Sequence, residues 1–434
     1  MGKFLIQNFG CRATQADGAA IETLLERQGM DEVRHPGEAD VVILNTCTVT
    51  SSADHDVRQA VRRIHRENPR ARILVTGCYA QRAPDEIASL PGVAWVVGNS
   101  HKAAIAEILS REPAGAPYHG QILVGDVFAQ RDFLSAPVED ASGDRTRPNL
   151  KIQDGCSNRC SFCIIPFVRG RSRSMSADEV VRRVRELAGR YREIVLSGIN
   201  LGRWGREPGF GMRLVHLLRR LLDETDVERL RLSSVEPMDW SDELLELVAS
   251  SLRIAKHVHA PLQTGSDRIL KLMRRRYRAR HYADRILKAR RLMPDAAIGA
   301  DVMVGFPGET DEDFEENRRF IESLPFTYLH VFTYSERPGT PAAEMSGRVP
   351  KRVRKERNRI LRELAAAKNL EFRRRFLGRR LSVVTLGEGR RALSDNYLPV
   401  ELARPREANR IVEVEIGGLV PGGLREREPL PVLG

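Results

Sequence analysis

Lys151-Ile-Gln-Asp-Gly-Cys156-Ser-Asn-Arg-Cys160-Ser-Phe-Cys163-Ile-Ile-Pro166 carries three cysteines at C-x3-C-x2-C spacing, directly behind a short strand-like run and inside a loop containing Gly155. That spacing lets three thiolates turn to one point without help from distant sequence. Zinc would need a fourth Cys or His to close its tetrahedron, and the nearest histidines, His119 and His216, lie far outside the loop. A 4Fe-4S cluster on three thiolates leaves one iron open to a ligand that does chemistry. The plain alternative is three buried cysteines that only pack, and a polar loop of Gly, Asn and Arg is a poor setting for it.

Downstream of this loop the strand-helix rhythm runs for six strands: Leu150 to Asp154, Glu193 to Ile199, Leu230 to Glu236, His257 to Gln263, Ala297 to Gly305 and Tyr328 to Ser335. Ser176 with Glu179, and Thr310, read as helix caps between them. Six units predict an open (βα)6 partial TIM barrel, two strands short of a closed one. Polar and Gly residues gather at the predicted carboxyl ends of these strands: Ser197 and Gly198, Ser234 and Glu236, Gln263 and Thr264, Gly305, and Ser335. They fit a small ligand across the barrel mouth, with Gly where backbone must approach it. An ordinary βα turn accounts equally well for Thr264 or Ser335. Glu236 and Gln263 are the stronger candidates for a cofactor's hydroxyl or amino groups.

Upstream, three strand patterns each run into a cysteine: Lys3 to Gly10 before Cys11, Asp40 to Thr46 before Cys47, and Arg72 to Gly77 before Cys78. Helix patterns lie between them, Gly18 to Gln28 behind Asp17 as cap and Val57 to Glu67 behind Asp54. Continuous apolar strands alternating with helices imply a doubly wound parallel sheet, whose strands all end along one ligand-binding edge. Cys11, Cys47 and Cys78 therefore converge, and a second three-thiolate iron-sulfur cluster is the simplest proposal. Singly, each would be a core residue.

The chain of 434 residues has 70 Lys and Arg against 58 Asp and Glu, a formal charge of +12. Such a field favours a polyanion, nucleic acid first; arginine that merely fills solvated surfaces is the alternative. Clusters such as Arg274-Arg275-Arg276 and Arg373-Arg374-Arg375 supply much of it. No apolar run approaches the ~20 residues of a membrane span, and the start turns polar too soon for a signal peptide. The expected compartment is the cytoplasm, with no membrane association, and six cysteines there point to metal rather than disulfides. Past Pro350 come a basic helix, Arg352 to Phe376, and short strands at Arg380 to Leu386, Tyr397 to Leu402 and Arg410 to Ile416. These predict a small antiparallel β-barrel, OB-like, a platform for single-stranded nucleic acid or else a structural cap.

The cysteine loop, with Phe162 before its third Cys, resembles the signature of radical S-adenosylmethionine enzymes. The whole order resembles the methylthiotransferase family of those enzymes, closest to the MtaB type that acts on tRNA. Motifs that carry the likeness are Lys151-Ile-Gln-Asp-Gly-Cys156, Cys163-Ile-Ile-Pro166 with Arg169-Gly-Arg171-Ser-Arg173, Arg231-Leu-Ser-Ser-Val-Glu-Pro237, Pro261-Leu-Gln-Thr-Gly-Ser266, Asp301-Val-Met-Val-Gly-Phe-Pro-Gly308 and Tyr334-Ser-Glu-Arg-Pro-Gly-Thr340. The chain departs from that pattern at Arg12 and Thr14, where related sequences carry Lys and Asn.

The resemblance implies an α/β chain of three domains and a linker: a methylthiotransferase domain at 1–120, a linker at 121–145, a radical core at 146–372 and a TRAM-like RNA-binding barrel at 373–434. It implies two 4Fe-4S clusters, one on Cys156, Cys160 and Cys163 and an auxiliary one on Cys11, Cys47 and Cys78. S-adenosylmethionine would be bound by Phe162, Ser197, Gly198, Ser234, Glu236, Gln263 and Gly305, and RNA by Arg169, Arg171, Arg173, Arg379 and Arg380. Reductive cleavage of S-adenosylmethionine would give a 5'-deoxyadenosyl radical that takes hydrogen from an adenine C2. Sulfur and a methyl group would follow, converting N6-threonylcarbamoyladenosine in the tRNA anticodon stem-loop to its 2-methylthio form. The implied partners are tRNA and an electron donor such as flavodoxin or ferredoxin, with a monomer as the simple assembly. Rivals within the family act on isopentenyladenosine in tRNA or on a ribosomal-protein aspartate; outside it stands a non-catalytic, redox-sensing iron-sulfur RNA-binding protein.

Overall fold

Strand residues apolar on both faces need cover on both faces, and in the computed structural model the first third of the chain supplies it. The structure describes residues 2–111, 119–129 and 146–428; most of the stretch read as a linker lies outside them. Strands β1 (Lys3–Asn8), β2 (Asp31–Glu32), β3 (Val41–Thr46), β4 (Arg72–Gly77), β5 (Val93–Val97) and β6 (Gln121–Leu123) form one parallel sheet in the order β2-β1-β3-β4-β5-β6. Phe4, Val41, Ile43 and Leu74 pack on one face with helices α1 (Arg12–Arg27) and, later in the chain, α5 (Ile105–Leu109). Leu5, Val42, Leu44, Ile73 and Val75 pack on the other with α2 (Ser51–Glu67), α3 (Cys78–Arg82) and α4 (Pro84–Ala88). The doubly wound sheet is as expected, and β6 extends it into the first residues of the predicted linker.

Two predicted caps are corrected. Helix α1 starts at Arg12, directly behind Cys11, and α2 starts behind Thr50, whose hydroxyl accepts from Ala53 N at 3.2 Å. Asp17 and Asp54 lie inside these helices at 1% and 4% exposure. A lone Asp in a polar stretch looks like a cap; here each is a buried counter-ion to cations from the next domain.

The second domain runs β7 (Asn149–Asp154), α6 (Ile165–Arg169), β8 (Arg173–Ser174), α7 (Ala177–Ala188), β9 (Glu193–Gly198), α8 (Leu214–Glu224), β10 (Arg229–Leu232), α9 (Asp242–Ser250) and β11 (His257–His259). It continues through α10 (Asp267–Leu272), α11 (Ala279–Leu292), β12 (Ala297–Val304), α12 (Asp311–Ser323) and β13 (Tyr328–Thr333). Ser176 and Thr310 cap α7 and α12 as read. The barrel is split into two sheets, β10-β9-β7-β8 and β11-β12-β13, joined by the bridge Leu230 to Ile254. Within each, β7, β9 and β10, and then β11, β12 and β13, are parallel neighbours. The result is the open six-unit arc, with β8 added antiparallel to β7.

Helix α13 (Lys351–Arg374) lies along β13 and leads into a closed barrel of β14 (Arg380–Leu386), β15 (Arg391–Ser394), β16 (Pro399–Glu401), β17 (Ile411–Val420) and β18 (Gly423–Glu426), in the order β14-β15-β16-β18-β17. The sequence reading missed β15 and β18, each only four residues long. Strand β17 runs on through Gly417-Gly418 with a register shift, past the predicted end at Ile416. A Cβ on Gly417 would lie 2.7 Å from Arg427 Cα, so glycine is what lets the strand pass. One pair, β16 with β18, is parallel rather than antiparallel.

A buried ion cluster joins this small barrel to the core. Glu193, fully buried at the start of β9, takes Arg231 through Nε at 2.7 Å and Nη2 at 3.0 Å, and Arg147 at 3.0 Å. Arg231 goes on to the carbonyls of Ser394 at 2.9 Å and Asp395 at 3.0 Å. Burial alone would raise the Glu193 carboxyl, but Arg231 and Arg147 bring it down to about 2. A carboxyl lowered on folding adds stability above its unfolded value, near 4.3, that is lost as pH falls toward its folded value. Urea unfolding should therefore show stability declining between about pH 5 and 2, and Glu193→Gln should remove part of that decline while lowering stability at pH 7.

Candidate functional site

Strands β1, β3 and β4 are adjacent in the sheet, so the residues just past their carboxyl ends come together. Cys11 is the residue before α1, Cys47 follows β3, and Cys78 opens α3. Burial, then the neighbouring Cys78 and Cys11, push the Cys47 thiol up to about 12. Gly10 (φ +146°) brings the first loop so close that a Cβ there would meet Cys47 Cβ at 2.7 Å. Beyond β7, Cys156, Cys160 and Cys163 form the second group. Burial and the other two thiols push Cys163 up to about 12, and burial also raises Cys156. The expected two sets of three are therefore each brought together.

The surroundings of these sulfurs suit negative charge. Val49 N donates to Cys47 Sγ at 3.4 Å, and Cys78 Sγ accepts from Asn99 Nδ2 at 3.7 Å and Arg169 Nε at 3.2 Å. In the second group Cys156 Sγ accepts from Asn200 Nδ2 at 3.8 Å and Cys160 Sγ from Arg275 Nη1 at 3.3 Å. Three thiols each, with N–H donors aimed at sulfur, fit iron-sulfur clusters, whose potentials such hydrogen bonds tune. Thr14 Oγ1, at one of the departures from the family pattern, lies 3.7 Å from Cys11 Sγ.

Arg169 ties Cys78 to Asp154, at the end of the strand that leads into the second group. Its side chain is 2% exposed and contacts Asp17 at 3.0 Å, both oxygens of Asp154 at 3.0 and 3.2 Å, and Cys78. Lys102 meets Asp17 at 2.9 Å, and Lys151 meets Asp154 at 2.8 Å and Asp17 as well. Burial would raise both carboxyls, but the surrounding cations hold them below the ordinary range. Beside the ion cluster, Ile164 and Val168 pack on Cys78, which gives Cys163-Ile-Ile-Pro166 its physical sense. A second buried network sits next to Cys47: Asp54 takes Arg82 at 2.9 Å and Arg337 at 2.6 Å, and Arg337 donates to Thr48 O at 3.2 Å. Arg337 belongs to the Tyr334-to-Thr340 motif, so that motif clamps the loop behind Cys47.

The predicted cofactor contacts divide. Ser197 is 1% exposed, and among the described residues its Oγ has no hydrogen-bond partner; the same holds for Ser233 Oγ and Asn200 Oδ1. These orphaned atoms at the ends of β9 and β10 fit a polar ligand such as S-adenosylmethionine. Gly198 packs tightly on Gln153, where a Cβ would meet Oε1 at 2.8 Å, and Ser234 is half-buried beside Ser233. Gln263 holds φ +68°, a left-handed conformation uncommon for a side-chain-bearing residue and frequent at functional sites. Glu236 is ion-paired to Arg275, the same residue that reaches Cys160. Phe162 stands edge-on to Phe306, ring centroids 6.5 Å apart. Gly305 faces Arg354, whose Cγ would lie 2.1 Å from a Cβ there, so its space is taken by α13. Ser335 Oγ accepts from Ser51 N at 3.0 Å and serves the domain contact.

The RNA candidates are corrected in part. Arg169 is walled in and cannot reach RNA. Arg379 pairs with Asp295 at 2.5 Å and lies over Phe376. Arg171 and Arg380 are exposed, and Arg173 donates to the carbonyl of Arg169 at 3.1 Å. The arginine runs are partly structural too, with Arg275 at Cys160 and Arg373 on the carbonyls of Val420 and Gly423. What sequence reasoning missed is a cleft of about 740 Å³ between the Thr50–Ser52 segment, β13 and α13. Lys351, Lys355 and Arg362 line it, exposed and without a carboxylate partner among the described residues, beside Phe332 at 48% exposure. Only the tertiary fold sets that aromatic against those cations.

Residues 150–321 match the Radical SAM superfamily, and residues 3–98 match the uncharacterized protein family UPF0004. The chain is 37% identical to the threonylcarbamoyladenosine tRNA methylthiotransferase MtaB of Aquifex aeolicus (strain VF5), over 95% of this chain and 100% of that one. It is 34% identical to the tRNA-2-methylthio-N(6)-dimethylallyladenosine synthase of Pelotomaculum thermopropionicum, over 89% of this chain and 87% of the other. Among solved structures, the radical S-adenosylmethionine methyltransferase TsrM from Kitasatospora setae superposes with a TM-score of 0.56 at 16% identity, covering 79% of this chain and 76% of that one, a likeness of fold.

Arg169→Leu should cost about 3–5 kcal/mol, because it strips a buried counter-charge from Asp17 and Asp154. Denaturant unfolding would measure this, and a loss below about 1 kcal/mol would mean that Lys102 and Lys151 neutralise both carboxylates alone.

Proposed function

Because this chain belongs to the radical S-adenosylmethionine methylthiotransferase family, we propose that it methylthiolates tRNA at C2 of N6-threonylcarbamoyladenosine 37. The observation that carries the reading is the pair of three-cysteine groups set across one domain boundary, with Arg169, on the helix after Cys163, donating to Cys78 Sγ. In this reading Cys156, Cys160 and Cys163 hold one 4Fe-4S cluster and Cys11, Cys47 and Cys78 the other. Bound there with S-adenosylmethionine, these groups supply one-electron chemistry, a sulfur atom and a methyl group.

The chain's own residues then have distinct tasks. Arg169 and Arg275 donate to sulfur and hold each group's charge in place. The orphaned oxygens of Ser197, Ser233 and Asn200 orient the cofactor at the mouth, helped by the backbone at Gln263. The cleft beside β13 takes RNA: Lys351, Lys355 and Arg362 meet phosphates and Phe332 offers a stacking face, with the exposed Arg171 and Arg380, and Arg173, as separate candidates for phosphate contact. A loop base is already unpaired, so moving it into a protein pocket costs little. That cationic, aromatic cleft favours RNA over a ribosomal-protein aspartate. A flavodoxin or ferredoxin is the proposed one-electron donor. A single chain carries every part, so a monomer suffices, and a tRNA substrate puts the reaction in the cytoplasm. No helix among the described residues is long and apolar enough to cross a membrane.

Nucleoside mass spectrometry of tRNA from cells with and without the gene tests the substrate. Loss of only the methylthio form of threonylcarbamoyladenosine, with its precursor accumulating, is expected; loss of the isopentenyl form instead would move the protein to the other tRNA type. Cys160→Ala should abolish S-adenosylmethionine cleavage, and Cys47→Ala should spare cleavage while stopping sulfur insertion. Methylthiolation by Cys47→Ala would refute the assignment of the N-terminal group.

Reversing charge in the cleft, Lys351→Glu with Lys355→Glu, should weaken tRNA binding at least tenfold and flatten its salt dependence by about two phosphate contacts. S-adenosylmethionine cleavage without RNA should be unchanged; equal binding by both proteins would exclude the cleft.

A further inference from the structure

Three side chains in the arc of the barrel have no part in the reading above: His259 at the end of β11, Asp301 in β12 and His330 in β13. Their strands are neighbours. Asp301 and His330 are direct cross-strand partners, and His259 sits opposite Gly299, two residues from Asp301 and on the same face. Period-two side chains therefore meet. His330 Nδ1 is 3.1 Å from Asp301 Oδ1, and His259 Nε2 is 3.2 Å from Asp301 Oδ2. One donor atom from each residue falls within a common span of 4.8 Å.

The His259 ring is fixed from behind. Its Nδ1 lies 2.8 Å from the Tyr328 hydroxyl, which lies 2.6 Å from His257 Nε2. His257 is stacked in turn on Tyr397, centroids 4.3 Å apart. Gly299 makes room for this, since a Cβ there would fall 2.0 Å from the Tyr328 ring. The other nitrogen, Nε2, belongs to a residue 4% exposed, and among the described residues it makes no hydrogen bond. Asp301 is near it in distance but lies off the ring's hydrogen-bonding direction. A buried imidazole held through Nδ1, with a carboxylate 3.2 Å from its Nε2, can share one ligand with that carboxylate.

We propose that His259 Nε2, the Asp301 carboxylate and His330 Nδ1 form a site for a divalent transition cation of the zinc class. Two imidazoles and one carboxylate are a donor set such cations take, with further positions left open. The contact of His259 Nδ1 with the Tyr328 hydroxyl is the outer contact that metal-bound histidines make; with Nδ1 as its donor, Nε2 is the lone-pair nitrogen that a cation needs. His330 is 52% exposed, which provides an entry path. The Arg231 guanidinium, which acts on His257, is neutralised by Glu193. The donor set contains no sulfur, so the site is distinct in chemistry from both cysteine groups, and it stands whether or not the proposed reaction does. Its open positions would suit an oxygen donor on a bound substrate.

The test uses the full chain with both cysteine groups loaded with iron, so that thiols do not compete. After dialysis against micromolar zinc chloride, elemental analysis should find about one zinc per chain. His330→Ala, a change at a half-exposed residue that the fold tolerates, and the near-isosteric Asp301→Asn should each weaken zinc uptake at least tenfold with iron content unchanged. Tyr328→Phe, which removes only the outer hydrogen bond, should weaken it about 10–100-fold. Manganese or cobalt binding with the same dependence on these residues would support the site with a different occupant. Zinc uptake equal in the parent, His330→Ala and Asp301→Asn, or no uptake by the parent, would overturn it.

Discussion

A guanidinium taken out of water must be met by charge on every side, and Arg169 is met by two domains at once. Asp17 comes from the first helix, Asp154 from the end of the first barrel strand, and Cys78 from the start of α3, just past the N-terminal sheet. Lys102 and Lys151 share the same carboxylates. Three cations against two carboxylates leave one positive charge, and the Cys78 sulfur is where Arg169 directs it. The orientation of one cysteine group relative to the other therefore rests on a cluster that cannot be half assembled, since an unmatched charge there would cost several kcal/mol.

The rest of the mouth is built around that joint. Asp54 and Arg337 repeat the device beside Cys47, so the two buried ion clusters hold the N-terminal sheet across the open arc of strands. Arg275 does for Cys160 what Arg169 does for Cys78, with Glu236 as its counter-ion. Sulfur, cation and carboxylate recur in that order on both sides. Ser197, Ser233 and Asn200, at the ends of β9 and β10, carry polar atoms left without partners, where the fold has paid for burial without supplying the hydrogen bond.

The cysteines were legible because their chemistry is local: C-x3-C-x2-C closes on itself, and three strand ends on one edge converge by topology alone. The six barrel strands and the caps at Ser176 and Thr310 followed from periodicity and turn chemistry in the same way. Asp17 and Asp54 misled because a helix cap and a buried counter-ion look identical in one dimension; the partner that distinguishes them, Arg169 or Arg337, is 152 or 283 residues away. Arg169 misled for the matching reason, a basic residue in a basic motif with no sign of the carboxylates that enclose it. The strands β15 and β18 escaped because four residues hold too little pattern to read.

Sequence alone thus determined the two thiol groups, the parallel sheets and the order of the three parts, because each depends on spacing or on hydrophobic period within a short window. Tertiary structure alone decided which charges are buried and which face solvent. It turned Arg169 and Arg275 from expected surface cations into buried partners, paired the exposed Arg379 with Asp295, gathered Lys351, Lys355 and Phe332 along one cleft, and set His259, Asp301 and His330 side by side. Electrostatic roles depend on what lies within a few ångströms, and for these residues that neighbourhood is assembled from strands and helices far apart in the chain.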